Sequence, residues 1–201
     1  MKFTSANNVV ESLRKDTRLY LPALTTRRGF STSRVEWLLN GLVKAMPVTE
    51  CYVEVGTLEG RTLDAAAAGN SDKTLIGIDP CEKYETMPKP FPDNVRFLAM
   101  SWQQFVTVRK LEKPIGVCFY DGDHSSAQTR DFMHDVRPLM ATEAVLVLDD
   151  WDRETVRKGA FEAMNSGWKL LRECPSYGDG LTCPQDHFGW SFGVALFGFR
   201  R

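Results

Sequence analysis

Two apolar runs on either side of a glycine turn restrict the fold of this chain more than any other stretch does. Cys51-Tyr52-Val53-Glu54-Val55 has the bulky, β-branched character of a strand and stops at Gly56. Thr57-Leu58-Glu59-Gly60 follows, then Arg61-Thr62-Leu63-Asp64 and four alanines, Ala65 to Ala68. Leu75-Ile76-Gly77-Ile78 then ends in Asp79. Parallel strands need a crossover, usually helical, so strand, turn, small-faced helix and second strand form the unit from which parallel sheets are wound. The turn glycines let the backbone approach a ligand. An acid after the second strand stands where many nucleotide-binding α/β folds hold a ribose diol.

The rest of the chain repeats this alternation. Ser33-Arg34-Val35-Glu36 has the spacing of a capping box, and Val35, Leu38, Leu39, Leu42 and Val43 follow at helical intervals. Strands are expected at 95–99, 115–120, 144–148, 168–172 and 193–199. Helices are expected over 101–111 with Ser101 as cap, over 125–140, and from an Asp152 cap to Gly167. Residues 79–93, with four prolines, read as a loop. The expected fold class is α/β: a doubly wound, mostly parallel sheet covered on both faces. Ligands of such sheets sit beyond the carboxyl ends of the strands. Glu54, Asp79, Ser101, Asp121, Asp149 and Asp150 all stand at or just past strand ends, so one shared rim is expected.

The residue types on that rim suggest its chemistry. Gly56 and Gly60 stand four apart without the tighter G-x-G-x-x-G spacing of a pyrophosphate turn, which disfavours NAD and FAD. Glu54 would accept from hydroxyl or amino groups, suiting an uncharged or cationic ligand. Thr62, beside backbone N–H groups at a helix start, could hold a carboxylate. Asp79 could take both hydroxyls of a ribose, although an aspartate before Pro80 also reads as a turn residue. Asp121, Asp149 and Asp150 would repel one another unless a cation bridges them, and an all-oxygen set suits Mg²⁺. Solvated loop acids are the plainer reading. His124, three residues after Asp121, could act as a general base or simply cap a helix. Asp121-Gly122-Asp123 also resembles the Asp-x-Asp element of sugar-nucleotide transferases. Trp151, Tyr177, His187, Phe188 and Trp190 flank the same rim, as a lid over a planar or sugar-like acceptor or as packing for the last strands.

Composition removes other classes. A chain of 201 residues suffices for one α/β domain and is short for two. Net charge is −1 with no basic block, which argues against nucleic acid as the main partner. The longest apolar runs, such as Ala144 to Leu148, are of strand length, so no membrane span is expected. The opening residues lack the apolar core of a secretion signal, and five cysteines without a C-x-x-C pair suggest reduced thiols in a cytoplasmic setting.

Taken together, these residues resemble class I S-adenosylmethionine-dependent methyltransferases, in particular the metal-dependent O-methyltransferases of the catechol, caffeoyl-CoA and macrolide-sugar types. Glu54-Val-Gly56-Thr-Leu-Glu-Gly60-Arg-Thr62 resembles that family's E-x-G-x-x-x-G-x-[ST] cofactor turn. The resemblance implies that Glu54, Gly56 and Gly60 line the methionine part, with Thr62 near its carboxylate. Asp79 would lie at the ribose, and Ser101-Trp102 beside the adenine. Asp121 would be the first metal aspartate, standing between cofactor and acceptor, and Asp149-Asp150 the second pair. Where the plant and animal enzymes carry a base lysine this chain has His124, so the lysine mechanism does not apply. The implied fold is a seven-stranded sheet with an antiparallel last strand inserted beside the sixth, over residues 31–201. Residues 1–30 form an extension that shapes the acceptor pocket or a dimer contact, which leaves a homo-oligomer open. The implied function is Mg²⁺-dependent methylation of a small molecule with vicinal hydroxyls. A metal-independent methyltransferase of the same fold, or a sugar-nucleotide transferase, is the alternative.

Overall fold

The computed structural model describes residues 1–15, 21–80, 90–108, 111–176, 190 and 193–201. Seven strands form one sheet: β1 (Cys51–Val55), β2 (Thr74–Asp79), β3 (Val95–Ala99), β4 (Ile115–Tyr120), β5 (Met140–Leu148), β6 (Trp168–Cys174) and β7 (Val194–Arg200). Their order is β3-β2-β1-β4-β5-β7-β6. The pairs among β1 to β5 are parallel, and β7 runs antiparallel between β5 and β6. The sheet is therefore seven-stranded and mostly parallel with its last strand inserted, as expected. The chain reverses its winding direction between β1 and β4, which opens a crevice at their carboxyl ends.

Among the described residues six α-helices cover the sheet: α1 (Phe3–Lys15), α2 (Ser33–Ala45), α3 (Arg61–Ala67), α4 (Trp102–Val108), α5 (Ser126–Val136) and α6 (Glu154–Ala163). Alternation along β1 builds both cores: Cys51, Val53 and Val55 face α4, α5 and α6, while Tyr52 faces α1, α2 and α3. Small residues permit close approach. Ala65, Ala66 and Ala67 are buried on α3, and Asn40 of α2 donates through Nδ2 to Ala65 O and Ala68 O. A Cβ on Gly159 of α6 would stand 2.3 Å from Ser126 O of α5. No helix among the described residues is long and apolar enough to cross a membrane.

Several local details depart from the sequence reading. The capping-box spacing at Ser33 and Glu36 is not used as one. Thr32 caps α2, its Oγ1 accepting from Val35 N, and Glu36 turns to Arg61. Helix α5 ends at Val136, and a single 3-10 turn (Arg137–Leu139) delivers the chain to a β5 that begins at Met140. Asp152 does not cap α6, whose N-cap is Arg153. Its Oδ2 instead accepts from the backbone N–H and the hydroxyl of Ser176.

Candidate active site

The carboxyl ends of β1, β2, β4 and β5 meet around a cavity of about 640 Å³. Backbone bonds lock the rim together: Gly56 N donates to Ile78 O at 2.9 Å, and Asp121 N donates to Val55 O at 2.8 Å. Gly56 sits at φ +90°, and a Cβ there would lie 1.9 Å from Asp121 O, so only glycine allows β1 and β4 to close so tightly. Leu58 also takes a left-handed conformation, φ +47°, which aims its N–H at Asp79 Oδ2, 2.8 Å away. The carboxylate expected at the ribose is thereby anchored to the glycine turn.

Gly56, Thr62, Asp79, Ser101, Trp102, Asp121, His124, Asp149 and Asp150 all line this cavity. Glu54 and Gly60 do not. Gly60 backs onto Phe91, where a Cβ would meet the ring at 2.4 Å. Glu54 is fully buried beneath the turn, accepting from Tyr52 Oη at 2.7 Å and Thr62 Oγ1 at 2.8 Å. The strand-end position that suggests a ligand contact instead makes Glu54 a brace, because its side chain points into the helix-covered face beside Tyr52. Burial pushes its carboxyl up to about 7 against the lowering effect of the Tyr52 and Thr62 hydrogen bonds. The Thr62 hydroxyl is likewise spent on Glu54.

On the β2–β3 side, Ser101 and Gln104 exchange two bonds, Ser101 N to Oε1 at 2.8 Å and Gln104 N to Oγ at 3.2 Å, a capping box that starts α4. Trp102 stacks on Phe105 and meets Phe132 edge-on, and its Nε1 is buried without a partner. An orphaned donor on a cavity wall fits a ligand acceptor. Tyr120 lies 4.1 Å from Phe132, centroid to centroid, closing the floor.

The acids gather at β4 and β5. Burial, then the negative charges of Asp149 and Asp150, raise the carboxyl of Asp121; burial, then Asp150, raise that of Asp149. Asp149 Oδ1 is buried without a partner. Asp150 takes a left-handed conformation at φ +51° and is 5% exposed. Its Oδ2 stands 3.1 Å from His124 Nε2 and 2.7 Å from Arg153 Nε. Among the described residues no group of three His, Cys, Asp or Glu is arranged to hold a metal ion. Asp123 does not join the cluster as an Asp-x-Asp donor would. It is exposed, Oδ1 accepts from Ser125 N at 2.7 Å, and the Ser125 side chain, then this backbone bond, lower its carboxyl.

Of the aromatic lid residues, Trp151 and Trp190 are buried, and Trp151 Nε1 donates to Glu173 Oε1 at 2.8 Å, so these two pack rather than cover. Tyr177, His187 and Phe188 lie outside the described residues. Arg153, Gly29 and Phe30 line the cavity without any mark in the sequence. Arg153 looks like an ordinary surface arginine until its distance to Asp150 is known.

Residues 53–151 match the sequence model of a family described as a methyltransferase domain. No curated protein matches the chain. An O-methyltransferase from Bacillus cereus, solved with S-adenosylhomocysteine, is 16% identical with a TM-score of 0.60, over 100% of this chain and 92% of that one. TomG from Streptomyces achromogenes is an O-methyltransferase involved in tomaymycin synthesis, solved with S-adenosylmethionine. It is 14% identical with a TM-score of 0.60, over 99% and 89% of the two chains. At these identities the likeness establishes the fold.

Proposed function

We propose that this chain, whose residues 53–151 match a methyltransferase-domain model and whose fold is that of class I methyltransferases, transfers the methyl group of S-adenosylmethionine to a hydroxyl of a small molecule. The observation that carries the reading is convergence. A glycine turn, Asp79, Trp102 with its orphaned Nε1, and the pair of His124 and Asp150 all open on one cavity. The cofactor supplies an electrophilic methyl on a sulfonium. The protein's part is to hold it, align the acceptor and take up one proton.

Asp79, tied to Leu58 N, would accept from the ribose hydroxyls, and Gly56 lets the backbone approach the methionine arm. Trp102 Nε1 is a donor for the adenine side. His124 presents Nε2 to Asp150, so Nδ1 is the atom that would receive the acceptor's proton. Asp150 orients the ring and stabilises it once charged, as an orienting carboxylate does in other base–acid pairs. A vicinal hydroxyl on the acceptor would find Asp149 Oδ1, the buried acceptor without a partner. Mg²⁺ has no part in this reading, because Asp150, expected among its ligands, is held by Arg153 Nε and by His124 Nε2.

We further read residues 31–201 as the catalytic domain and residues 1–30 as an extension whose Gly29 and Phe30 shape the entrance. Cys51 and Cys118 are buried free thiols, which suits a reducing cytoplasm. Calorimetric titration with S-adenosylhomocysteine tests the cofactor, with micromolar affinity expected and no heat counting against the reading. His124→Ala should bind S-adenosylhomocysteine as the wild type does yet turn over 10²–10⁴-fold more slowly. Full turnover would remove His124 as the base.

A further inference from the structure

Three carboxylates, those of Asp121, Asp149 and Asp150, share the ends of two adjacent strands. Such a cluster needs positive charge nearby. Here the chain supplies it within three residues. Arg153 N donates to Asp150 O at 2.9 Å, closing a tight turn, and Arg153 Nε reaches Asp150 Oδ2 at 2.7 Å. The left-handed backbone of Asp150, uncommon for a residue with a Cβ, aims its carboxylate at this guanidinium and at His124. Arg153 is half exposed and makes no side-chain cap on α6, so neither packing nor capping accounts for where its guanidinium lies.

We propose that Arg153 is a built-in cation occupying the place a divalent ion would take among these carboxylates, so that the wild-type protein excludes a metal that it would bind once Arg153 is removed. The proposal rests on the reading of this cluster as the methyl-transfer site. A guanidinium keeps its charge at every working pH and engages a carboxylate through directed N–H bonds. Mg²⁺ would have to displace it from Asp150, or settle for Asp121 and Asp149 beside a fixed like charge.

The test is calorimetric titration of Mg²⁺, and separately Mn²⁺, into the full chain, free and saturated with S-adenosylhomocysteine. Wild type, Arg153→Lys and Arg153→Ala are compared, with Arg153→Gln replacing the alanine variant if melting shows it unfolded. Wild type and the lysine variant should show no saturable uptake. The neutral variant should take one equivalent at least tenfold more tightly than wild type, and Asp150→Asn added to it should abolish the gain. Saturable micromolar binding to wild type overturns the proposal. So does a neutral variant no tighter than wild type, or a gain that survives Asp150→Asn. Loss of S-adenosylhomocysteine binding by wild type would instead count against the methyltransferase reading, and the metal titrations on the free protein would stand apart from it.

Discussion

Glu54 is held, fully buried, at the end of β1 by two hydroxyl donors, Tyr52 Oη and Thr62 Oγ1. Burial, against the two hydrogen bonds, raises its carboxyl from an ordinary 4.5 to about 7. Because the folded value lies above the unfolded one, its contribution to stability is complete below about pH 4.5 and is lost as pH rises through about 7. The loss amounts to about 3 kcal/mol at high pH. Glutamine imitates the protonated acid and cannot ionise. The melting temperature of Glu54→Gln should therefore pull ahead of wild type as pH is raised from 5 to 8, by about 6–12 °C for a chain of this size. A gap that does not change with pH would sink this account. Gly56 sets a second single-residue constraint. Alanine there must relieve a 1.9 Å approach to Asp121 O at φ +90°, so Gly56→Ala should cost about 2–4 kcal/mol in denaturant melts and abolish cofactor binding. An alanine variant that melts like wild type would show that β1 and β4 can separate without penalty.

Between elements, the segment 21–30 is clasped to α2 and α3 by charges that end in the core. Glu36, with no exposed surface, accepts from Leu24 N at 2.8 Å and from Arg61 Nε at 2.7 Å, and Arg61 NH2 reaches it at 2.6 Å. Thr25 Oγ1 and Arg27 Nε both reach the Asp64 carboxylate. Glu36→Ala strands a guanidinium beside a buried gap and releases a backbone N–H, so a loss of about 3–5 kcal/mol is expected, or roughly 6–20 °C. A change under 2 °C would mean the clasp is cosmetic. Glu36 also illustrates what a sequence can reveal. Its spacing from Ser33 signalled a helix start, and a helix does start there, but Thr32 supplies the cap and Glu36 serves a partner 25 residues away. Strands β1, β3 and β4 were legible to the residue because their apolar runs end abruptly at polar turns. The convergence on one rim was legible where acids follow strand ends, since Asp79, Asp121 and Asp149 all line the cavity. Glu54 lies beneath the cavity rather than on it because alternation places it inside, and the pairing of Asp150 with His124 and Arg153 was hidden because it depends on a left-handed residue that no local pattern announces.

Across the whole molecule, the cavity draws its walls from four strand ends, from α3, α4 and α5, and from Gly29 and Phe30 ahead of α2. A ligand held there touches both halves of the winding, so its binding energy must add to the stability of the entire sheet rather than of one lobe. By mass action, S-adenosylhomocysteine at 100 times its dissociation constant stabilises the folded state by about 2.7 kcal/mol. For a domain of this length that corresponds to a rise of about 5–11 °C in a single transition. A UDP-sugar with Mn²⁺ should leave the transition where it was, since Asp123 is turned to Ser125 N and away from the other acids. A shift with the nucleotide sugar and none with S-adenosylhomocysteine would reverse the functional reading. Splitting of the melt into two steps on adding S-adenosylhomocysteine would show that the halves flanking β1 and β4 unfold independently. One transition moved intact is what a shared rim requires, because β1 and β4 are joined by the bond from Asp121 N to Val55 O, with Gly56 packed against Asp121, and cannot part without opening the site.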